Sequence, residues 1–149
     1  MIFAGSAAAS RASQAFAHRR GSRVPITYSI DRENGCIIET WTGDITARDL
    51  VAHWRHYITD PDVLALRRTL VDLRHSRIMF SATELSQLVE RIVLPALHGM
   101  NWRTAIVLGD PNHFEMSRQY HIVAESYSQD SIFSTPEAAL AWLRTQRQP

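Results

Sequence analysis

The sequence predicts a single α/β domain built on one mixed, mostly parallel five-stranded sheet, with an N-terminal β-hairpin and about four helices. Three observations predict this class. Short apolar runs, typical of strands, alternate with longer segments whose apolar residues recur at helical spacing. Capping signals for helix N-termini follow directly after several of these runs. An Asn34-Gly35 pair separates the first two runs, which predicts a hairpin.

The hairpin strands are predicted at 24–31 and 36–42, with Gly43-Asp44 ending the second strand. The first helix follows at once. Thr46 is its N-cap, Asp49 completes a capping box, and the helix runs until Asp60-Pro61 stops it. Residues 62–68 then lead into a buried strand at 69–73.

The second half repeats the strand-helix order three times. Ser81 and Glu84 form the capping box of a helix over 82–97, in which Pro95 should kink the last turn. A strand at 104–108 leads to a helix with Asp110 as cap and Pro111 in its first position.

A last strand at 131–133 is followed by a capping box of Ser134 and Glu137, which opens the final helix. Because each strand after the first is followed by a helix, those strands should be mostly parallel.

Composition limits the function classes. The chain has 149 residues, 45% of them hydrophobic, which suits one domain with a single core. The 16 basic residues are all arginine, and residues 24–149 hold 12 of them against 15 acids, a net charge of −3. This mildly acidic balance argues against nucleic-acid binding. No apolar run is long enough to span a membrane, and the lone Cys36 fits a cytoplasmic protein without an internal disulfide.

Residues 1–23 differ in composition from the rest, being rich in Ala, Ser and Arg and free of acids. We expect a disordered basic tail that packs little against the domain at 24–149. A targeting segment and a start codon assigned too far upstream are the alternatives.

The order of these segments resembles the SpoIIAA-like family, small bacterial domains grouped with STAS and Sec14-type domains. The resemblance rests on the hairpin, the segment starting at Gly43-Asp44, the run Leu70-Val-Asp-Leu73 and the closing Glu137-Ala-Ala-Leu-Ala-Trp-Leu143. It implies a non-enzymatic binding domain, taking either a small lipophilic ligand or a protein partner. The alternative it implies is a phosphorylation-regulated partner switch of the anti-sigma factor antagonist type.

Ser81 is the candidate phosphoacceptor for that alternative. Antagonists of this type carry an Asp-Ser-Ser-Gly motif at the junction between strand and helix. The corresponding segment reads Met79-Phe-Ser-Ala-Thr83, in which only Ser81 matches. A phosphate at a helix N-terminus is favourably placed, but Ser81 is equally explained as an N-cap.

Two groups of residues are candidates for ligand or partner binding. Loops after parallel strands gather at one edge of the sheet, where ligands of open α/β sheets bind. The polar residues expected there are Asp44, Arg74, His75, Asp110 and His113. The apolar residues of the crossing loop, expected to line a pocket or a subunit contact, are Ile78, Met79 and Phe80.

Catalytic and metal signatures are weak. The sequence has no Gly-rich phosphate loop, nucleophile elbow or dinucleotide fingerprint, so we expect no enzyme and no cofactor. His53 and His56 are three residues apart on the first helix, but no carboxylate or cysteine completes a zinc pattern, so we expect no metal.

Self-association is the last expectation. The chain has four tryptophans, and the loop at 98–102 places Met100 beside Trp102. Aromatic and Met residues are enriched at interfaces. We expect a homodimer whose contact uses some of Met79, Phe80, Met100 and Trp102; the alternative is that these side chains close the ends of the core.

Overall fold

The computed structural model describes residues 24–145, and these residues confirm the predicted sheet. Five strands lie side by side in chain order, the first pair antiparallel and the other pairs parallel. They are β1 (Ile26–Asp31), β2 (Cys36–Ile45), β3 (Arg68–Ile78), β4 (Trp102–Val107) and β5 (Ser128–Phe133). The expected tail at 1–23 lies outside the described residues.

The described part of the chain has five helices beside the sheet. They are α1 (Ala47–Tyr57), α2 (Pro61–Leu66), α3 (Ala82–Leu88, continuing through a π-helical turn at Val89–Val93 to Leu94–Leu97), α4 (Pro111–Ala124) and α5 (Pro136–Thr145). Within residues 24–145, no helix is long and apolar enough to cross a membrane.

Helix α2 was not predicted. Residues 62–68 were interpreted as a lead-in to β3, yet the chain makes a short helix there. The Asp60 carboxylate accepts the N–H of Asp62 at 2.9 Å, and Pro61 takes the first helical position. The Asp60-Pro61 pair that ends α1 therefore also begins the next helix.

Local capping chemistry explains where the other helices begin. Capping boxes are present at Thr46 and Ser81, and Asp110 caps α4, as predicted. The predicted box at Ser134 is wrong by one residue. Thr135 accepts the N–H of Ala138 at 3.2 Å instead, because Pro136 occupies the first helical position and shifts the cap next to it.

The predicted disturbance at Pro95 takes the form of the π-helical turn in α3. The N–H of Leu94 bonds to the carbonyl of Val89, five residues back rather than four. Pro95 has no N–H to donate, and its ring would clash with the carbonyl four residues earlier in an α-helix. The wider turn accommodates both constraints.

The largest correction concerns the lengths of β2 and β3. Gly43-Asp44 does not end β2, and the segment after Leu73 is not a loop. Both strands continue as a two-stranded extension, in which Gly43 pairs with Ser76 and Ile45 with Ile78. Gly43 has a φ of 74°, which lets the backbone bend within the strand instead of leaving it.

An irregularity in the pairing of β2 and β3 changes which side chains of β3 face inward. Thr40 pairs with Asp72 but Thr42 pairs with His75, so β3 has one extra residue there. Such a bulge reverses the in-out alternation of the longer strand. As a result Leu73 and Ile78, an odd and an even position, lie on the same face of the sheet.

The helices are divided unequally between the two faces. Helices α1 to α4 cover one face, together with the large core that includes Leu50, Val63 and Leu85. Among residues 24–145, helix α5 is the one that covers the other face, through Ala139 and Leu143. Parallel strands covered on both faces explain the near-continuous apolar runs of the sequence.

Candidate functional site

A cavity of about 80 Å³ lies between the sheet and helices α1, α3 and α4, and it is partly open to solvent. Its walls are mainly apolar, and seven of the twenty lining residues are aromatic. The aromatic residues are Trp41, Trp54, Tyr57, Phe80, Trp102, Tyr120 and Tyr127. A concave apolar site with a few polar groups is the usual form of a small-molecule site.

The period-two alternation of the strands supplies the floor of the cavity. Thr69, Val71 and Leu73 of β3 and Thr104 and Ile106 of β4 all face it. The residues between them on β3 and β4 point to the opposite face. The floor is thus set by strand register, which tight backbone pairing holds in place.

Glu39 is a buried carboxylate in this floor, only 4% exposed. One oxygen, Oε2, accepts the indole N–H of Trp41 at 2.9 Å. The other, Oε1, lies 2.5 Å from Nε2 of His53, which comes from α1. Burial of a carboxylate is costly without such partners, so these two bonds keep Glu39 in the interior.

Thr69 organises a second polar point. Its hydroxyl oxygen accepts the indole N–H of Trp102 at 3.0 Å and lies 2.6 Å from the hydroxyl of Tyr57. Burial, with a further contribution from the Glu39 charge, raises the pKa of Tyr57 well above its usual value. The phenol therefore stays protonated and acts as a hydrogen-bonding group at neutral pH.

The third polar point is incompletely paired. Tyr120 and Tyr127 place their hydroxyl oxygens 2.5 Å apart, and Ser117 on α4 also faces the cavity. The Ser117 hydroxyl is buried and has no hydrogen-bond partner within the described residues. Buried polar groups are nearly always paired, so this hydroxyl is available to a bound molecule.

Of the residues predicted for binding, two line the cavity. Ile78 ends β3, and the extra residue in that strand turns it inward; Phe80 is buried beside Trp41, with ring centroids 6.4 Å apart. Met79, between them, is 51% exposed and lies outside. Two of the three residues of the apolar group therefore lie in the cavity wall, and their role in binding stays a prediction.

The predicted polar group does not form one site at the sheet edge. Arg74 bonds the Asp72 carboxylate through Nε and Nη2, both at 2.9 Å, and also through its backbone N–H. Asp44 pairs with Arg77 across the extension at 3.0 Å, and His75 is exposed in the same extension. These residues lie along strands rather than in loops, because β2 and β3 are longer than predicted.

Asp110 and His113 hold the turn between β4 and α4. Asp110 caps α4, accepting the N–H of Asn112 at 2.7 Å. His113 is 1% exposed; its Nδ1 accepts the N–H of Gly109 at 3.1 Å, and its Nε2–H donates to the carbonyl of Ser76 at 2.9 Å. Both side chains therefore make hydrogen bonds that stabilise the turn.

Ser81 is exposed, but its hydroxyl oxygen accepts the N–H of Glu84 at 3.1 Å. The Glu84 carboxylate in turn accepts the N–H of Ser81 at 2.9 Å. A phosphate on Ser81 would stand beside that carboxylate, and like charges repel. The two hydrogen bonds between Ser81 and Glu84 together form the capping box.

The prediction that Trp102 lies in an exposed loop is wrong. Trp102 begins β4, is 4% exposed and donates to Thr69 in the cavity wall. Met100 packs against the same core. Three of the four tryptophans, Trp41, Trp54 and Trp102, line the cavity, whereas Trp142 packs against the core on the α5 face.

Sequence reasoning also missed Glu39, His53 and Ser117. His53 was considered only as a metal ligand; among residues 24–145, no three His, Cys, Asp or Glu side chains are grouped to hold a metal ion. One signal was present. Ile37, Glu39 and Trp41 share one face of β2, and an acid between two large apolar residues indicates a buried carboxylate with a partner.

Comparison with known proteins supports the fold. No family model matches the chain, and a search of curated proteins found no match. Among solved structures, the chain is similar to an uncharacterized protein of the DUF3478 family with a SpoIIAA-like fold from Shewanella loihica PV-4. The TM-score is 0.53 at 14% identity, over 79% of this chain and 91% of that chain. The chain therefore has a SpoIIAA-like fold, as the resemblance of its sequence implied.

Proposed function

We propose that the protein is a non-enzymatic binding domain that holds a small, mainly apolar molecule in the cavity between the sheet and the helices. The observation that supports this is an aromatic cavity that also contains an unpartnered buried hydroxyl, that of Ser117. A packed interior normally has few voids larger than a water molecule, so a cavity of about 80 Å³ is unusual for a core that serves stability alone.

The volume limits the size of the ligand. An engineered cavity of about 150 Å³ lined by apolar residues accepts benzene. The present cavity has about 80 Å³, roughly half of that volume, so a one-ring molecule is the largest that fits, with part of it in the opening to solvent. Long acyl chains are too large unless the helices move.

A titration with toluene tests the proposal, followed through the amide resonances of the protein. We expect saturable shifts centred on residues of the cavity wall. Ser117→Leu should weaken toluene binding by roughly tenfold or more, because the added side chain occupies the cavity. Ser126→Leu makes the same substitution at an exposed position after α4 and should leave binding unchanged. Equal binding by all three proteins, or no binding by the wild type, would contradict the proposal.

A phosphorylation-regulated partner switch is the second candidate. Its support is the exposed position of Ser81 at the N-terminus of α3. The capping box weakens that support, since the Glu84 carboxylate already occupies the site. Mass spectrometry of protein isolated from its native cell distinguishes the two proposals: a phosphate on Ser81 supports the switch, and a retained small molecule supports the binding domain.

The homodimer is a separate proposal. With Trp102 buried, its contact would have to use other residues, of which Met79 is the most exposed of those predicted. Light scattering at micromolar concentration tests it, and a clean monomer of 17.0 kDa would end it.

A further inference from the structure

We infer that the cavity selects a small organic cation, namely a protonated amine or quaternary ammonium group carried on a compact apolar body. This inference rests on the proposed function and adds the charge of the ligand. Three properties of the cavity support it: the aromatic walls, the buried carboxylate in the floor and the absence of basic residues among the described residues of the lining.

The aromatic walls suit a cation because ring faces carry partial negative charge. Seven of the twenty residues that line the cavity are aromatic. Two pairs within the wall are tilted rather than stacked: Trp41 with Phe80 at 56°, and Tyr57 with Trp102 at 48°, both with centroids 6.4 Å apart. Tilted rings leave part of each face uncovered. Several ring faces around one position form the arrangement that binds quaternary ammonium groups.

Glu39 supplies a full negative charge at the floor. Its bonds to Trp41 and His53 use one acceptor position on each oxygen, so each oxygen can accept another donor. The side chains of His53 and Glu39 are 4% and 6% exposed, so the carboxylate lies in an environment of low polarity. A cation in the cavity compensates that charge, which water does only weakly there.

The other residues of the lining favour a ligand that donates hydrogen bonds and disfavour an anionic ligand. No Arg or His lines the cavity in the part of the chain that the structure describes, so a carboxylate or phosphate ligand would have no counter-charge. Burial raises the pKa of Tyr127, and the charges of Asp130 and Glu39 add to this. The unpartnered Ser117 hydroxyl can accept an N–H from an ammonium group.

The test compares probes of similar shape and different charge: benzylamine, which is protonated at neutral pH, benzyl alcohol and benzoate, with toluene as the apolar reference. Calorimetric titration of the wild type should show benzylamine binding roughly tenfold tighter than benzyl alcohol, a difference of the size that a desolvated cation–π contact gives. Benzoate should bind more weakly than either.

Glu39→Gln isolates the charge, since the amide keeps one acceptor for Trp41 and the shape of the side chain. It should reduce the benzylamine affinity roughly tenfold and leave toluene and benzyl alcohol within about twofold. Glu125→Gln removes one exposed carboxylate just after α4 and should change none of the affinities. Melting curves of each variant establish that it is folded.

The outcomes separate the two proposals. If toluene and benzyl alcohol bind but benzylamine binds no tighter than the alcohol, the cation inference is overturned and the binding domain stands. The same holds if Glu39→Gln folds and keeps the full benzylamine preference. If none of the probes binds to the wild type, the proposed function itself is overturned.

Discussion

The two faces of the sheet differ in the size of the side chains that their strands bury. On the face covered by α5, the buried residues are small or medium in size: Cys36, Leu70, Ala105, Val107, Ala139 and Leu143. On the other face, four helices meet large aromatic rings. Small residues allow a helix to lie close to the strands, whereas rigid rings that meet at tilted angles leave space between them. The thicker layer therefore contains the cavity.

This contrast shows where the fold tolerates change. On the α5 face, Cys36, Ala105 and Ala139 are all at 0% exposure. Burial raises the pKa of the Cys36 thiol to about 12, so that thiol is inert at neutral pH. The cavity face has unfilled volume, and its Ser117 hydroxyl has no hydrogen-bond partner among the described residues, so this face has more room to change than the α5 face.

The largest effect on the free energy of unfolding is expected from a larger side chain on the face covered by α5. Ala105→Leu adds three carbons between β4 and α5 and should lower the free energy of unfolding by about 3 kcal/mol, because the helix must move outward. Ser117→Leu adds a similar volume to the cavity face and should leave the free energy of unfolding equal or higher. Urea denaturation measures both. Similar losses for the two variants would contradict the contrast between the faces.

The next effect concerns the turn that positions α4, the helix bearing Ser117. A Cβ on Gly109 would lie 2.6 Å from the Cα of Arg74 and 2.7 Å from its carbonyl oxygen, and a backbone cannot yield as a side chain can. Gly109→Ala should therefore cost about 2 kcal/mol of unfolding free energy and weaken toluene binding, since α4 must shift.

Gly99→Ala is the matched control for this variant. Its φ of 83° makes alanine strained by about 1 kcal/mol, but no atom lies within 4 Å of the added Cβ. Toluene binding should be unchanged in Gly99→Ala. A loss of binding there, or an unaffected Gly109→Ala variant, would show that the close approach at Arg74 does not position the cavity.

The sequence predicted what is decided locally and missed what depends on distant partners. The caps at Thr46, Ser81 and Asp110 need only residues three positions away, and all three were predicted. The extension of β2 was missed because Gly43 resembles a strand terminator until its pairing with Ser76 of β3 is known.

The candidate site was less predictable for the same reason. Glu39 and His53 are 14 residues apart, and Tyr57 joins Thr69 across 12 residues, so no short motif contains either pair. Ile78 and Phe80 were predicted to line a pocket because three consecutive apolar residues are unusual in a loop. The local pattern of Ile37, Glu39 and Trp41 indicates that the acid is buried, but helix packing decides that its partner is His53.

The smallest effect compares two buried carboxylates, one on each face. Asp72 lies on the same face of β3 as Leu70, toward α5, and Arg74 bonds both of its oxygens. Burial raises the pKa of the Asp72 carboxyl, but the bonds from Arg74 outweigh burial and the pKa is lowered. Asp130 on β5 accepts from Ser128 at 2.6 Å. Its Oδ2 has no hydrogen-bond partner among the described residues, and Nδ1 of His121 lies 3.9 Å away from it. Burial raises the pKa of Asp130.

Opposite shifts predict opposite responses to the loss of charge. A raised pKa means that the folded state favours the protonated acid, so this contribution is present below the unfolded pKa, near 3.9, and is lost as pH rises through the folded pKa. Asp130→Asn should therefore stabilise the protein at pH 7 by about 1 kcal/mol, the order of the cost of an unsatisfied buried group, and the gain should vanish in acid. The contribution of Asp72 is present above the unfolded pKa and is lost as pH falls, so Asp72→Asn should destabilise at neutral pH. Urea denaturation from pH 3 to pH 8 compares the variants with the wild type. A destabilised Asp130→Asn variant at pH 7 would mean that the Asp130 carboxylate has a stabilising partner. The buried carboxylate on the cavity side of the sheet would then be paired as well as Asp72 on the side facing α5.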